Sequence, residues 1–202
     1  MKQFLTIFFA TVLIGCSFGP AVRETPITYD LGAPRVAATG TKSISASVLV
    51  HNVAAPFWLD TPAIVYRLNR EAGRQQTYAN SRWVASPAAL LTQLLRERLA
   101  QAGTGGVVSS ADGVRADYTL HVELEDFAQV FEQADASHGV VMARASLVNA
   151  AQRTLVAQKD FSFEHAAATP DAEGGVRALT EAGNDLINAI VAWAADNIAA
   201  AK

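Results

Sequence analysis

Between residues 116 and 164 apolar and polar side chains alternate with a period of two, in three successive runs. In the first, over residues 116–133, Tyr118, Leu120, Val122 and Leu124 alternate with Thr119, His121, Glu123 and Glu125. The phase breaks at Asp126-Phe127, where a β-bulge is expected. The second, over residues 139–149, puts Val141, Ala143, Ala145 and Leu147 on one face. The third, over residues 154–164, does so with Leu155, Ala157, Phe161 and Phe163, interrupted by Lys159. A period of two marks strands with one buried face, and the short connections predict an antiparallel meander. Earlier in the chain, shorter runs predict strands over 27–31, 44–50, 63–68, 77–84 and 107–109. Residues 35–42 read as loop, and 69–76 as a solvated hairpin loop.

Two segments change to helical spacing. Ser86 can cap a helix with Pro87 in its first turn, and Leu90, Leu91, Leu94, Leu95 and Leu99 then form one stripe. Arg96 and Arg98 are expected outside that stripe, near the helix end, where positive charge favours the dipole. Gly103, Gly105 and Gly106 stop it. Thr169-Pro170-Asp171 opens the second helix, whose stripe includes Val176, Leu179, Leu186, Ile187, Ile190, Val191, Trp193 and Ile198. Gly174, Gly175 and Gly183 are expected to weaken it locally. A helix lying on a membrane favours Lys and Arg on its polar face. This one offers Glu181, Asp185 and Asp196, so packing on a sheet is expected instead. The order of strands, helix, strands, helix argues an α+β domain, a mainly antiparallel sheet with two principal helices on one face.

The first sixteen residues follow neither period. Lys2 precedes an apolar run from Phe4 to Ile14, closed by Gly15 and Cys16. The run is about half the roughly 20 residues a spanning helix needs, and its order is that of a secretory signal peptide. Residues 1–15 are therefore read as signal, 16–26 as the modified N-terminus and tether, and 27–202 as one domain.

Composition narrows the function classes. The net charge is −3 and no basic run appears, which disfavours nucleic acid and polybasic membrane binding. Cys16 is the only cysteine, so no intramolecular disulfide can form although the implied compartment is oxidising. Burial alone must hold the fold, and a hydrophobic fraction of 50% can supply it.

Candidate chemistry is sparse. His51, His121, His138 and His165 show no metal-ligand spacing, and no cofactor motif is present. The glycines at 103–106 lack the Lys-Ser/Thr of a phosphate loop, and no Gly-x-Ser-x-Gly occurs. Glu123 and Glu125 share a strand face, where an exposed acidic surface accounts for them more simply than acid–base work. No catalytic constellation emerges. Trp58, Tyr66, Tyr78 and Trp83 cluster around the second hairpin; packing is favoured for them, and a partner-contact patch is the functional alternative.

Leu13-Ile14-Gly15-Cys16 resembles the bacterial lipobox, whose cysteine is acylated and becomes the mature N-terminus. Two or more acyl chains anchor stably where one does not. After it come Tyr29-Asp30-Leu31, the segment LDTPAIVYRL over 59–68, Tyr78, Trp83 with Ser86-Pro87, the leucine-rich helix, the long strand and a terminal helix with Trp193. In this order the chain resembles the ABC-type transport auxiliary lipoproteins of the PqiC/YmbA-like group. The resemblance implies a periplasmic domain similar to the N-terminal domain of TolB, lipidated (palmitate among the chains) at Cys16. It implies a non-enzymatic accessory role beside an ABC permease and ATPase and an MCE-family protein in lipid transport. Ser17 after the cysteine favours the outer membrane over inner-membrane retention. A lipid carrier with an apolar cleft between helices and sheet is the alternative, and a homo-oligomer stays open.

Overall fold

A computed structural model of the chain describes residues 25–33, 43–69 and 73–201. The signal segment, Cys16 and most of the tether lie outside the described residues, as does the loop expected over 35–42. Among the described residues the elements are β1 (Ile27–Tyr29), β2 (Val48–Val50), β3 (Ala63–Leu68), β4 (Gln75–Trp83), α1 (Pro87–Ala102) and β5 (Val107–Ser109). They continue with a 3-10 turn (Ser110–Asp112), β6 (Tyr118–Phe131), β7 (Ser137–Asn149), β8 (Thr154–Ala166) and α2 (Ala172–Ala200).

β6 is the spine of the sheet. One edge pairs antiparallel with β7 along its whole length, from Tyr118 opposite Asn149 to Phe131 opposite Ser137, and β8 pairs antiparallel with β7. This is the meander expected from the alternation, except that a register shift between Leu147 and Val148 sets Leu155 opposite Val148, on the other face from Ala157, and leaves it exposed. The other edge of β6 is shared by two parallel strands, β2 beside its start and β3 beside its end. Beyond β2 lies β5, parallel; beyond β3 lies β4, antiparallel, and then β1, parallel to β4. Parallel neighbours need long crossovers, and α1 lies in the one that returns the chain from β3 to β6. The architecture is α+β, with both helices packed into the same apolar core as the inner face of the sheet.

The register shift on β6 falls between Leu124 and Asp126, leaving Glu125 as the extra residue. It turns Asp126 to the outer face opposite Met142, where Arg67 of β3 forms a two-pronged ion pair with it.

α1 starts as its sequence predicts. Ser86 accepts from the Ala89 N–H, and Pro87 occupies the first turn. Arg98 departs from expectation. Positions 91, 94, 95 and 98 share one helix face, so Arg98 lies within the leucine stripe and is 5% exposed. Its Nε donates to Asn188 Oδ1 of α2 at 2.7 Å, which pairs the buried charge across the helix–helix contact. Arg96 donates to the Val50 carbonyl and to Asn52 Oδ1. Neither arginine sits in the last turn, which holds no basic residue.

α2 is capped by Asp171, which accepts from the Gly174 N–H at 2.8 Å. This bond, then the Thr169 hydroxyl and the Glu173 N–H, hold the Asp171 carboxyl below its ordinary range. Its glycines mark close approach as well as weak propensity. A Cβ on Gly175 would lie 2.1 Å from Gln129 Oε1, and one on Gly139 of β7 would lie 2.7 Å from the Leu179 nitrogen. The helix backbone therefore rests directly on β6 and β7.

Candidate functional site

The four aromatic candidates do not form one patch. Tyr66 and Tyr78 stack with centroids 4.7 Å apart, and Phe131 meets Tyr66 edge-on at 5.9 Å. The Tyr66 hydroxyl donates to Gln76 Oε1, and that of Tyr78 donates to Gln129 Oε1, both at 2.8 Å. Gln129 is fully buried and donates onward to Ser137 Oγ at 2.8 Å. Burial, then the neighbouring Tyr66 and Asp171, push the Tyr78 hydroxyl up to about 12. Trp83 is 1% exposed and packs edge-on against Phe127 at 5.6 Å, so it offers no surface to a partner. Trp58 is half-buried against the core.

Beside Trp58 stands a residue the sequence reading passed over. Phe57 is 89% exposed, at the tip of the segment between β2 and β3. That segment runs along the edge of β6 through hydrogen bonds from His51 and Ala54 to the carbonyls of Leu120 and Val122. Pro56 before Phe57, in a stretch without periodicity, was the available signal: a large apolar side chain on an irregular segment has no core face to occupy.

The same backbone path stacks His51 on His121, with centroids 4.5 Å apart and planes 12° from parallel. Desolvation first, and the His51 charge second, push the His121 imidazole down, against a smaller opposing pull from Glu123. His165 Nε2 lies 2.7 Å from Asp185, and its Nδ1 lies 3.4 Å from Glu181. With a carboxylate at each ring nitrogen, this imidazole has none free to activate a nucleophile. His138 lies 3.8 Å from Glu132 and 3.9 Å from Glu164. Glu123 and Glu125 are exposed on the outer face, Glu125 being 3.6 Å from Arg144. Among the described residues no three His, Cys, Asp or Glu side chains gather as metal ligands would.

Free space follows the same division. The cavity between α1 and β2, lined by Ile44, Val48 and Leu99, holds about 10 Å³. Larger hollows open on the surface, one of about 400 Å³ beside Asn52, Asp60 and Arg96, another of about 350 Å³ beside Pro56, Glu123 and Glu125. Among the described residues no helix is long and apolar enough to cross a membrane.

Comparison with known proteins bears on the whole arrangement. The family model for the ABC-type transport auxiliary lipoprotein component matches residues 29–191. No curated protein matches. A Xanthomonas campestris protein of family DUF330, solved by crystallography, is similar in fold, with a TM-score of 0.75 and 17% identity. The match covers 84% of this chain and 95% of that one. A second solved, uncharacterized protein reaches 0.62 at 18% identity, over 83% of this chain and 97% of its own. The hypothetical protein CT253 of Chlamydia trachomatis reaches 0.53 at 8% identity, over 77% and 99%. These likenesses speak to the fold. The family match runs from β1 into α2 and so takes in almost every element described above, which makes this chain a member of the ABC-type transport auxiliary lipoprotein component family, the PqiC/YmbA-like group.

Proposed function

We propose that the protein is a non-enzymatic accessory lipoprotein that docks a periplasmic ABC/MCE-type lipid transport assembly to the outer membrane. The observation that carries the reading is a family match over residues 29–191, lying behind a segment that resembles a lipobox and ends at Cys16. In this reading Cys16 takes the lipid, residues 17–26 span from membrane to domain, and the folded part meets the transporter. The filled interior supports docking over carriage. An acyl chain needs an apolar cleft, whereas the cavity between α1 and β2 holds about 10 Å³. Half-buried Trp58, Tyr66 and Tyr78, together with exposed Phe57, are among the aromatic groups available to a partner.

Affinity capture of the full chain from bacterial membranes tests this. MCE, permease and ATPase proteins should be recovered with the wild type. Cys16→Ala should leave the protein unlipidated and absent from outer-membrane fractions. Recovery of bound lipid without any transporter subunit would replace docking with carriage.

A further inference from the structure

On the sheet face away from the helices, the strand registers align one row of side chains across five strands. Val108 of β5, Leu49 of β2, Thr119 of β6, Val148 of β7 and Leu155 of β8 stand side by side. Four of the five are apolar, yet none is buried, and Leu155 is 59% exposed. One row further in, the same face turns polar with His121, Ser146 and Gln158. The same face turns apolar again at its far end, but there Val65, Ala128 and Val140 are buried, whereas this row is left open; a lone exposed leucine needs no reason, but an aligned open set does.

Outside the row, beyond the strand ends, the chain folds up around a hollow of about 360 Å³. Leu49 and Thr119 line it from the row, Val114 and Arg115 from the loop before β6, and Arg153 from the β7–β8 turn. The hollow is firmly held. Asn149 Oδ1 accepts from the N–H groups of Ala151 and Gln152, the Arg153 N–H donates to the Asn149 carbonyl at 2.8 Å, and the Ala150 N–H donates to the Asp117 carbonyl at 2.9 Å. Arg153 itself takes left-handed backbone, φ 56°. Among the described residues no carboxylate lines the hollow and neither guanidinium has an ion-pair or hydrogen-bond partner. In a chain of net charge −3, two unopposed cations beside an apolar row form a local exception.

We propose that this corner binds the phosphate headgroup of an anionic lipid, with the acyl carbons nearest the glycerol lying along the apolar row. Guanidinium forks match phosphate oxygens in charge and geometry. The hollow is of the size that small-molecule sites take, roughly 300–1,000 Å³. An inorganic anion would use the arginines and leave the row idle; a phospholipid uses both. The inference does not depend on the transporter reading, because it concerns a surface site rather than a cleft or a partner.

The test uses the lipidated full chain in a zwitterionic nanodisc, observed by NMR at Leu49, Val148 and Leu155. It is titrated with dihexanoyl phosphatidic acid, dihexanoyl phosphatidylcholine and inorganic phosphate. Saturable shifts with phosphatidic acid are expected, and an affinity at least about tenfold lower in the Arg115→Gln/Arg153→Asn double variant, as loss of charged hydrogen bonds predicts. Asparagine tolerates the backbone at 153. Leu155→Ser should weaken phosphatidic acid and leave inorganic phosphate unchanged. Three results would overturn the proposal: equal binding by the double variant, inorganic phosphate binding as tightly as the lipid, or phosphatidylcholine matching phosphatidic acid.

Discussion

Along β7, Val141, Ala143, Ala145 and Leu147 are each 1% exposed or less, while Met142, Arg144, Ser146 and Val148 between them remain open or half-open. One strand thus serves two faces under different rules. The inner face is sealed by α2, whose backbone comes close enough at Gly139 and Gly175 to exclude a Cβ. Among the described residues the outer face carries no helix; its neighbours include cross-strand charges, stacked histidines and, at one end, the apolar row with its two arginines. Folding free energy is concentrated on the face that excludes water, because burial of apolar surface dominates and exposed charge pairs contribute little. Away from its buried members Val65, Asp126, Ala128 and Val140, the outer face is free to vary in chemistry without unfolding the domain.

The largest effect should come from breaking the inner face. Leu147 is fully buried, so Leu147→Ala removes its transfer energy and leaves a cavity, costing about 3 kcal/mol. A urea titration reads this as a lower midpoint with an unchanged slope. Ser146→Ala, one residue along on the outer face, should stay within about 0.5 kcal/mol of wild type. Similar losses from the two would mean that the faces do not divide the stability as described.

An intermediate effect tests the polar network that penetrates the inner face. Tyr78→Phe takes the donor from Gln129, a fully buried side chain, and should cost about 1–2 kcal/mol. It should also change the alkaline limb of stability. Tyr78 holds its proton up to about pH 12 in the folded state, whereas an unfolded tyrosine ionises near 10. Between those values the unfolded chain binds fewer protons than the folded one, so stability falls as pH rises through this window. The phenylalanine variant should lose that slope. If its alkaline unfolding curve runs parallel to wild type, the tyrosine is not the titrating group.

Much of this division was legible in the residues. The meander, its bulge, the Ser86 cap and the stripes of both helices follow from spacing, because one-sided burial imposes its period on the sequence. What spacing could not supply depends on contacts between distant segments. Arg98 reads as a surface charge until Asn188 meets it across the helix pair. Gly175 reads as a weak helix position until Gln129 is seen against it. The parallel pairing of β2 and β3 along one edge of β6 leaves no local mark either, and it alone brings His51 onto His121. For the same reason the hollow between Arg115 and Arg153, thirty-eight positions apart in the chain, has no motif.

The smallest effect sharpens the contrast from the other side. On the outer face Arg144 Nε donates to Asp160 at 2.7 Å, with Glu125 at 3.6 Å. The hydrogen bond to Asp160, then its charge and that of Glu125, hold the Arg144 guanidinium above its ordinary range. In distance alone this is a better pair than many buried ones. The Arg144 and Asp160 side chains are nevertheless 41% and 68% exposed, so water and salt screen the attraction and two flexible side chains must be ordered to gain it. Asp160→Asn should therefore leave the urea midpoint where it is at physiological ionic strength, although the bond is shorter than that joining Tyr78 to Gln129. A loss as large as that of Tyr78→Phe would locate real stability on the outer face. The decisive variable is then burial rather than bond length, and the two substitutions measured together under one set of conditions separate them.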